Sequence, residues 1–207
     1  MSRAMHKDLI VVDDFYSDPH AVRAFALKQD FTDFGGQKAF LGRESKYPYF
    51  DRETPEVLAR LVGSPVSYTD RHIFGKFRIA NAAERRHTKI HFDRSAYAAN
   101  IYLTPGLPAG CGLGLYRHKE LGLDRVPGPE KLHELGFATL DDFDDAVVVP
   151  DSLNPSKWDL IDVIEPRFNR LLILPGGHYF HAAEGGSGRT DSEGRLSQHF
   201  FFETLDR

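Results

Sequence analysis

Short apolar runs punctuated by glycine, proline and acidic clusters dominate this chain, and helical periodicity is confined mostly to its first third. Alternation over residues 8–14 predicts an opening strand. Ser17, Asp18 and Pro19 then supply a cap and a first-turn proline for a helix over about 20–29, with Ala21, Val22, Phe25 and Ala26 on one face. Such a helix is expected to pack on the outside of a sheet. The Gly, Lys, Tyr and Pro content of 34–48 predicts loop, and 55–62 predicts a short helix closed by Gly63.

After Pro65 the texture changes to β-branched and aromatic runs. Over 73–80, Phe74, Lys76 and Arg78 alternate with Ile73, Phe77 and Ile79 as in a half-buried strand. Further strands are predicted over 89–92, 97–104, 113–117, 170–174 and 196–203, with turns at Pro105-Gly106 and Pro175-Gly176-Gly177. This predicts a mainly β fold with flanking helices, a barrel or jelly-roll rather than a parallel α/β sheet. Between His118 and Arg167 the pattern breaks, with Pro127-Gly128-Pro129, acids at Asp141, Asp142, Asp144 and Asp145, and a helix predicted around 155–164. An insertion of this kind, about 118–167, is either a lid or solvated decoration. One domain over 1–207 is expected, with 1–66 bracing a core formed by 67–207.

Composition narrows the class. The 207 residues include 41% hydrophobic ones, enough for a sizeable core, and a single cysteine, Cys111, so no disulfide forms within the chain and a Cys-rich zinc module is excluded. No apolar run reaches the length of a signal core or a membrane span, which predicts a soluble, cytoplasmic protein with no membrane partner. A formal charge of -4 argues against a nucleic-acid partner, although Arg85, Arg86 and Lys89 lie close together in sequence. Oligomeric state is not legible.

His91-Phe92-Asp93 ends one of the predicted strands, and side chains two apart on a strand leave on the same face. Two metal ligands can therefore come from one strand. An isolated H-x-D is unspecific in a chain with ten histidines. Its meaning depends on a later stretch, in which the apolar run 170–174 leads through Pro-Gly-Gly and His178 to His181, and Arg195-Leu196-Ser197 follows fourteen residues further on. Two histidines and one carboxylate on one side of an octahedral ion form the facial triad of non-haem Fe(II) oxygenases.

In this order, His91, Asp93, His181, Arg195 and Ser197, the chain resembles the Fe(II)- and 2-oxoglutarate-dependent dioxygenase superfamily, and most closely a bacterial family of unassigned function within it. The segments 114–119 and 195–202 carry that closer likeness, and the resemblance covers about 74–203. It implies a double-stranded β-helix (jelly-roll, cupin-like) core, Fe(II) held by His91, Asp93 and His181, and 2-oxoglutarate as co-substrate. Arg195 would pair with its distal carboxylate and Ser197 would hydrogen-bond it. Bidentate guanidinium–carboxylate geometry agrees. The implied reaction consumes O2, releases succinate and CO2, and hydroxylates a small-molecule or peptide substrate; the carboxylate of Asp93 argues against halogenation.

Several residues compete for roles. His178 is a rival ligand. His199 shares the face of Arg195 and Ser197, and pocket lining is its expected place. Asn100, Tyr102 and Thr104 alternate onto one face, with Tyr102 preferred as a co-substrate contact. His87 and His118 are expected at the surface, Trp158 and Arg117 are candidates for touching substrate from the insertion, and Phe200 to Phe202 are expected in the core. Two other functions fit the same residues less well: a cupin-like isomerase or hydrolase with another divalent metal, and a metal-free jelly-roll binding protein. Without a dicarboxylate to hold, the first does not explain Arg195 beside Ser197; mutating His91 and Asp93 would separate the second, since a pure binder should keep its ligand affinity.

Overall fold

The computed structural model describes residues 8–34, 40–83 and 89–205. In chain order the elements are β1 (Ile10–Val12), α1 (Pro19–Ala26), β2 (Phe31–Asp33), β3 (Arg43–Ser45), α2 (Thr54–Val62), β4 (Val66–Ser67), β5 (Phe74–Ala80), β6 (Tyr97–Tyr102), β7 (Leu113–His118), α3 (Pro129–Glu134), α4 (Leu140–Phe143), β8 (Trp158–Ile164), β9 (Leu171–Pro175), β10 (Phe180–Ala183) and β11 (Arg195–Thr204). The large sheet runs β1-β9-β6-β11-β5-β3-β2, with β4 on the end of β11, and the small sheet runs β10-β7-β8. Among the described residues all pairings are antiparallel, and the sheets do not close into a barrel. From β5 onward the chain alternates between the two: large sheet, then the His91 bridge to β10, then large (β6), small (β7, β8), large (β9), small (β10) and large (β11).

Three apolar clusters hold this arrangement. Leu58 and Ala26 of the helices pack on the outer face of the large sheet, against Phe77, Ile79, Leu196, Phe200 and Phe202. Between the sheets lie Ala98, Leu172 and Leu174 from one and Leu113 and Leu115 from the other. The insertion packs Phe143, Val148 and Trp158 against Phe180 and Phe92 on the far side of the small sheet. The central strands are therefore buried on both faces, and their inner face is left to line a cavity.

Local chemistry explains the helices. Asp18 caps α1 by accepting from the Ala21 N–H at 3.0 Å. The helix stops at Ala26, short of the predicted 29. Gly63, at φ 77°, closes α2 where expected. Strand prediction needed more correction. β5 is not half-buried: Gly75 (φ 92°) is an extra residue opposite β11, between Lys76↔His199 and Phe74↔Phe200, and this bulge turns Phe74 onto the same apolar side as Phe77. Residues 89–92 form no strand and contribute a single bridge, His91↔His181. Within the predicted loop 34–48, β3 pairs with β5, because Glu44 finds Arg78 directly opposite. Of the helix predicted around 155–164, residues 155–157 form a single 3-10 turn and the rest is strand β8, paired with β7 along its length. That strand puts part of the predicted insertion into the small sheet. Among the described residues no helix is long and apolar enough to cross a membrane.

Candidate metal centre

His91 and His181 exchange both backbone hydrogen bonds, at 3.1 and 2.8 Å. Directly opposed residues of an antiparallel pair share a face, and the two rings lie 4.6 Å apart between centroids. Asp93 follows at the next same-face position, its N–H donating to the Gly176 carbonyl at 3.0 Å. A Cβ on Gly176 would stand 2.3 Å from the Ser95 carbonyl oxygen and 2.9 Å from Asp93 Cβ, so the Pro-Gly-Gly turn approaches the carboxylate this closely only with glycine there. Asp93 Oδ2 is 3.2 Å from His181 Nε2, and Oδ1 is 3.6 Å from His91 Nε2. The three ligand atoms lie within 4.8 Å of one another.

The tautomers follow from the other ring nitrogens. His91 Nδ1 is 2.8 Å from the Lys89 carbonyl, and His181 Nδ1 is 3.0 Å from the Tyr179 carbonyl. Carbonyl oxygens only accept, so each Nδ1 carries a proton and each Nε2 is the atom offered toward Asp93. Burial alone would raise the pKa of Asp93, but the charge of His181 and hydrogen bonds from both histidines outweigh it and hold the carboxyl well below the usual range. Burial pulls His181 down, and its carboxylate partner more than reverses this, leaving it raised. Without an ion, a proton on His181 Nε2 satisfies Asp93. A divalent cation held by the same atoms would take the place of that proton.

An inner cavity of about 60 Å³ opens from these ligands toward the large sheet, between Asn100, Arg195, His199 and Arg78. Arg195 is 5% exposed; its Nε donates to the Cys111 carbonyl at 2.8 Å, and its terminal nitrogens have no partner among the described residues. Its guanidinium carbon is 5.3 Å from the centre of the Tyr102 ring. The Tyr102 hydroxyl and the Asn100 Nδ2 are both buried without a hydrogen-bond partner among the described residues. Leaving such groups unsatisfied costs about 1–3 kcal/mol each, so a compact ligand rich in acceptor oxygens fits here. Ser197 is fully buried behind the cavity wall, its hydroxyl 2.8 Å from His199 Nε2. Burial, reinforced by the positive charges of Arg78 and Arg195, pushes His199 well below its usual pKa, so it lines the cavity as a neutral ring.

Arg78, not singled out by the sequence reading, reaches the same cavity. Its Nε donates to Glu44 Oε2 at 3.0 Å, and its guanidinium lies 3.9 Å from the Phe40 ring centre. The signal for it was the Lys76/Arg78 alternation of a strand whose polar face turned out to be the functional one. Phe40 and Leu41 also form part of the wall, so the first 66 residues shape the cavity as well as bracing the core. Beyond it, an outer cleft of about 420 Å³ shares Phe40, Arg78, His91, Asp93 and Phe201. A roomier cavity of about 560 Å³, among Tyr16, Phe25, Tyr49, Phe50 and Phe77, lies on the opposite face of the large sheet and away from the histidines; size alone does not make it the site.

Other candidates fall elsewhere. His178 is exposed, 3.4 Å from Asp8, and takes no part in the His–Asp–His group. His118 is buried rather than at the surface, bonded to Asp151 at 3.0 Å with its ring against Trp158. Thr104 ties β6 to β11 through the Gly194 carbonyl and the Leu196 N–H. Trp158 and Arg117 line neither the cavity nor the cleft. Arg85, Arg86 and His87 lie outside the described residues.

Comparison with known proteins places the fold. The chain is similar to a prolyl hydroxylase from Trichoplax adhaerens solved in complex with a hypoxia inducible factor oxygen degradation domain peptide fragment, at TM-score 0.50 and 11% identity, covering 95% of this chain and 84% of that one. It is similar to SnoK, a non-heme alpha-ketoglutarate-dependent carbocyclase from nogalamycin biosynthesis, at TM-score 0.50 and 15% identity, covering 94% and 79%. HygX from Streptomyces hygroscopicus, with nickel and 2-oxoglutarate bound, matches at TM-score 0.49 and 13% identity, covering 96% and 84%. The fold is therefore the one that the prolyl hydroxylase and SnoK share, and it carries a His–Asp–His group that could hold a metal. Within that fold the chain belongs to a family of unknown function, DUF6445, whose model matches residues 2–202. The search of curated proteins found no match.

Proposed function

We propose that this protein is an Fe(II)- and 2-oxoglutarate-dependent oxygenase that hydroxylates an organic substrate, built as one domain on a double-stranded β-helix. The observation that carries this reading is the pairing of two features in one place. Two imidazole Nε2 atoms and a carboxylate converge within 4.8 Å, and beside them a guanidinium faces a cavity next to two buried, unpartnered donors. A structural histidine cluster would not need the second feature, and a cupin-like enzyme with no dicarboxylate to hold would leave it unexplained.

His91, Asp93 and His181 would hold the metal. When bound, iron and 2-oxoglutarate supply the oxidising chemistry, with O2 consumed and succinate and CO2 released. Arg195 would bind the distal carboxylate through its terminal nitrogens, and Asn100 and Tyr102 would donate to its other acceptor oxygens. Ser197 acts through His199, fixing the ring that forms part of the wall. Ala98, Leu113 and Leu174 keep water from the inner cavity. Asp93 occupies the position at which halogenating members of the superfamily carry a small residue, which favours hydroxylation. The substrate, a small molecule or a peptide, enters through the outer cleft.

The test is release of labelled CO2 from 1-carbon-labelled 2-oxoglutarate by purified protein with Fe(II) in air. Slow turnover is expected even without substrate, abolished by chelator and in Asp93→Ala. Absence of turnover in iron-loaded wild-type protein across a broad substrate panel would contradict the reading.

A further inference from the structure

The outer cleft is unequal in charge. Arg71, Arg78 and Arg94 reach it, against Asp93 and Glu203. Arg94 is matched by Asp141 and Asp144, each at 2.7 Å. Glu203 accepts from the Ala96 N–H and faces His72 at 3.5 Å, and Asp93 belongs to the histidines. Two cations remain. The Arg71 side chain has no partner among the described residues. Arg78 shares the single carboxylate of Glu44 with Lys76, and among the described residues only its Nε is engaged. Aromatic rings flank that guanidinium, Phe40 at 3.9 Å and Phe201 at 5.5 Å, so its position is fixed while its terminal nitrogens find no partner among the described residues.

We infer that the substrate is a carboxylate carried on a flat, apolar body, its oxygens bound by Arg78 and Arg71 and its body laid against Phe40 and Phe201 within reach of the metal ligands. The inference rests on the oxygenase reading for what happens to the substrate, but the carboxylate preference of the cleft follows from the guanidinium nitrogens of Arg71 and Arg78 that have no partner among the described residues. Arg195 is not available for this role, because it sits at the inner cavity with the co-substrate. Arg78 stands between the two chambers and lines both. A forked guanidinium recognises a planar carboxylate far better than the corresponding amide, which brings donors of its own against the arginines.

The experiment is calorimetric titration of protein saturated with Ni(II) and 2-oxoglutarate, using 3-phenylpropanoate and 3-phenylpropanamide as matched probes. The acid should bind at least about tenfold more tightly than the amide, and added salt should shrink the difference. Arg71→Gln, at an exposed position, should reduce that preference several-fold. Arg78→Lys keeps a cation beside Glu44 but loses the fork, and should reduce it as well. Equal affinity for acid and amide, or a preference untouched in both variants, overturns the inference. Uptake of Ni(II) and 2-oxoglutarate is measured in the same samples: protein that takes up neither yet still discriminates acid from amide would sink the oxygenase reading and leave the carboxylate cleft standing.

Discussion

Removing one oxygen atom, by Tyr102→Phe, should move stability and co-substrate binding in opposite directions. The Tyr102 side chain is fully buried and its hydroxyl has no hydrogen-bond partner. A buried polar group left unsatisfied costs about 1–3 kcal/mol, and the phenylalanine keeps the ring packing. The ligand-free variant should therefore be more stable by about 1 kcal/mol, which raises the melting temperature by roughly 2–4 °C for a chain of this size. On the proposed function the wild-type hydroxyl would donate to a carboxylate of bound 2-oxoglutarate, a bond of about 1.5–3 kcal/mol, so affinity in the variant should fall roughly 10- to 100-fold. At a co-substrate concentration about 100 times the wild-type Kd, ligand stabilisation is about 2.7 kcal/mol for the wild type and should drop to about 1.4–0.4 kcal/mol for the variant. Urea melts of Ni(II)-loaded protein with and without 2-oxoglutarate read both quantities. A ligand-free variant less stable than wild type, or an unchanged ligand shift, refutes the assignment of this hydroxyl as a donor waiting for the co-substrate.

Gly176→Ala places a Cβ 2.3 Å from the Ser95 carbonyl oxygen and 2.9 Å from Asp93 Cβ; it should cost about 1–3 kcal/mol of stability and weaken metal binding by displacing the carboxylate, both visible in melts with and without Ni(II). The Asp93–His181 pair sets a pH window for the metal-free protein. Asp93 is lowered from 3.8, so its contribution is complete above that value and is lost as pH falls; His181 is raised from 6.5, so its contribution is complete below that value and is lost as pH rises through the folded pKa. The pair therefore stabilises most between about pH 4 and 6.5. Metal affinity should run the other way, falling about tenfold per pH unit below the His181 pKa as the proton competes; a metal affinity independent of pH from 6 to 8 would contradict this. His118→Ala removes the bond to Asp151 and the contact with Trp158, the only tryptophan, and should cost about 2–4 kcal/mol. Tryptophan emission should red-shift at lower denaturant in this variant.

The residues that make the centre were legible because their chemistry is local. His91 and Asp93 share a face by two-residue spacing, and the Pro-Gly-Gly turn before His181 marks the close approach that Gly176 makes to Asp93. What stayed hidden depended on partners distant in sequence. β8 carries a weak alternation that reads equally as helix, and only pairing with β7 resolves it. Arg43 to Ser45 become a strand because Glu44 meets Arg78, 34 residues away. Gly75 reverses the face of Phe74 through a bulge that no periodicity of its own strand reveals. The buried ion pair of Glu44 and Arg78, and with it the second guanidinium of the site, follows from those pairings and was invisible without them.

Anaerobic addition of Fe(II) and 2-oxoglutarate to the purified protein tests the central claim most directly. Chelation of the co-substrate on iron held by His91, Asp93 and His181 should produce the weak visible metal-to-ligand charge-transfer band, present in wild type and diminished in Arg195→Ala at the same co-substrate concentration. No band in metal-replete wild-type protein would contradict the account.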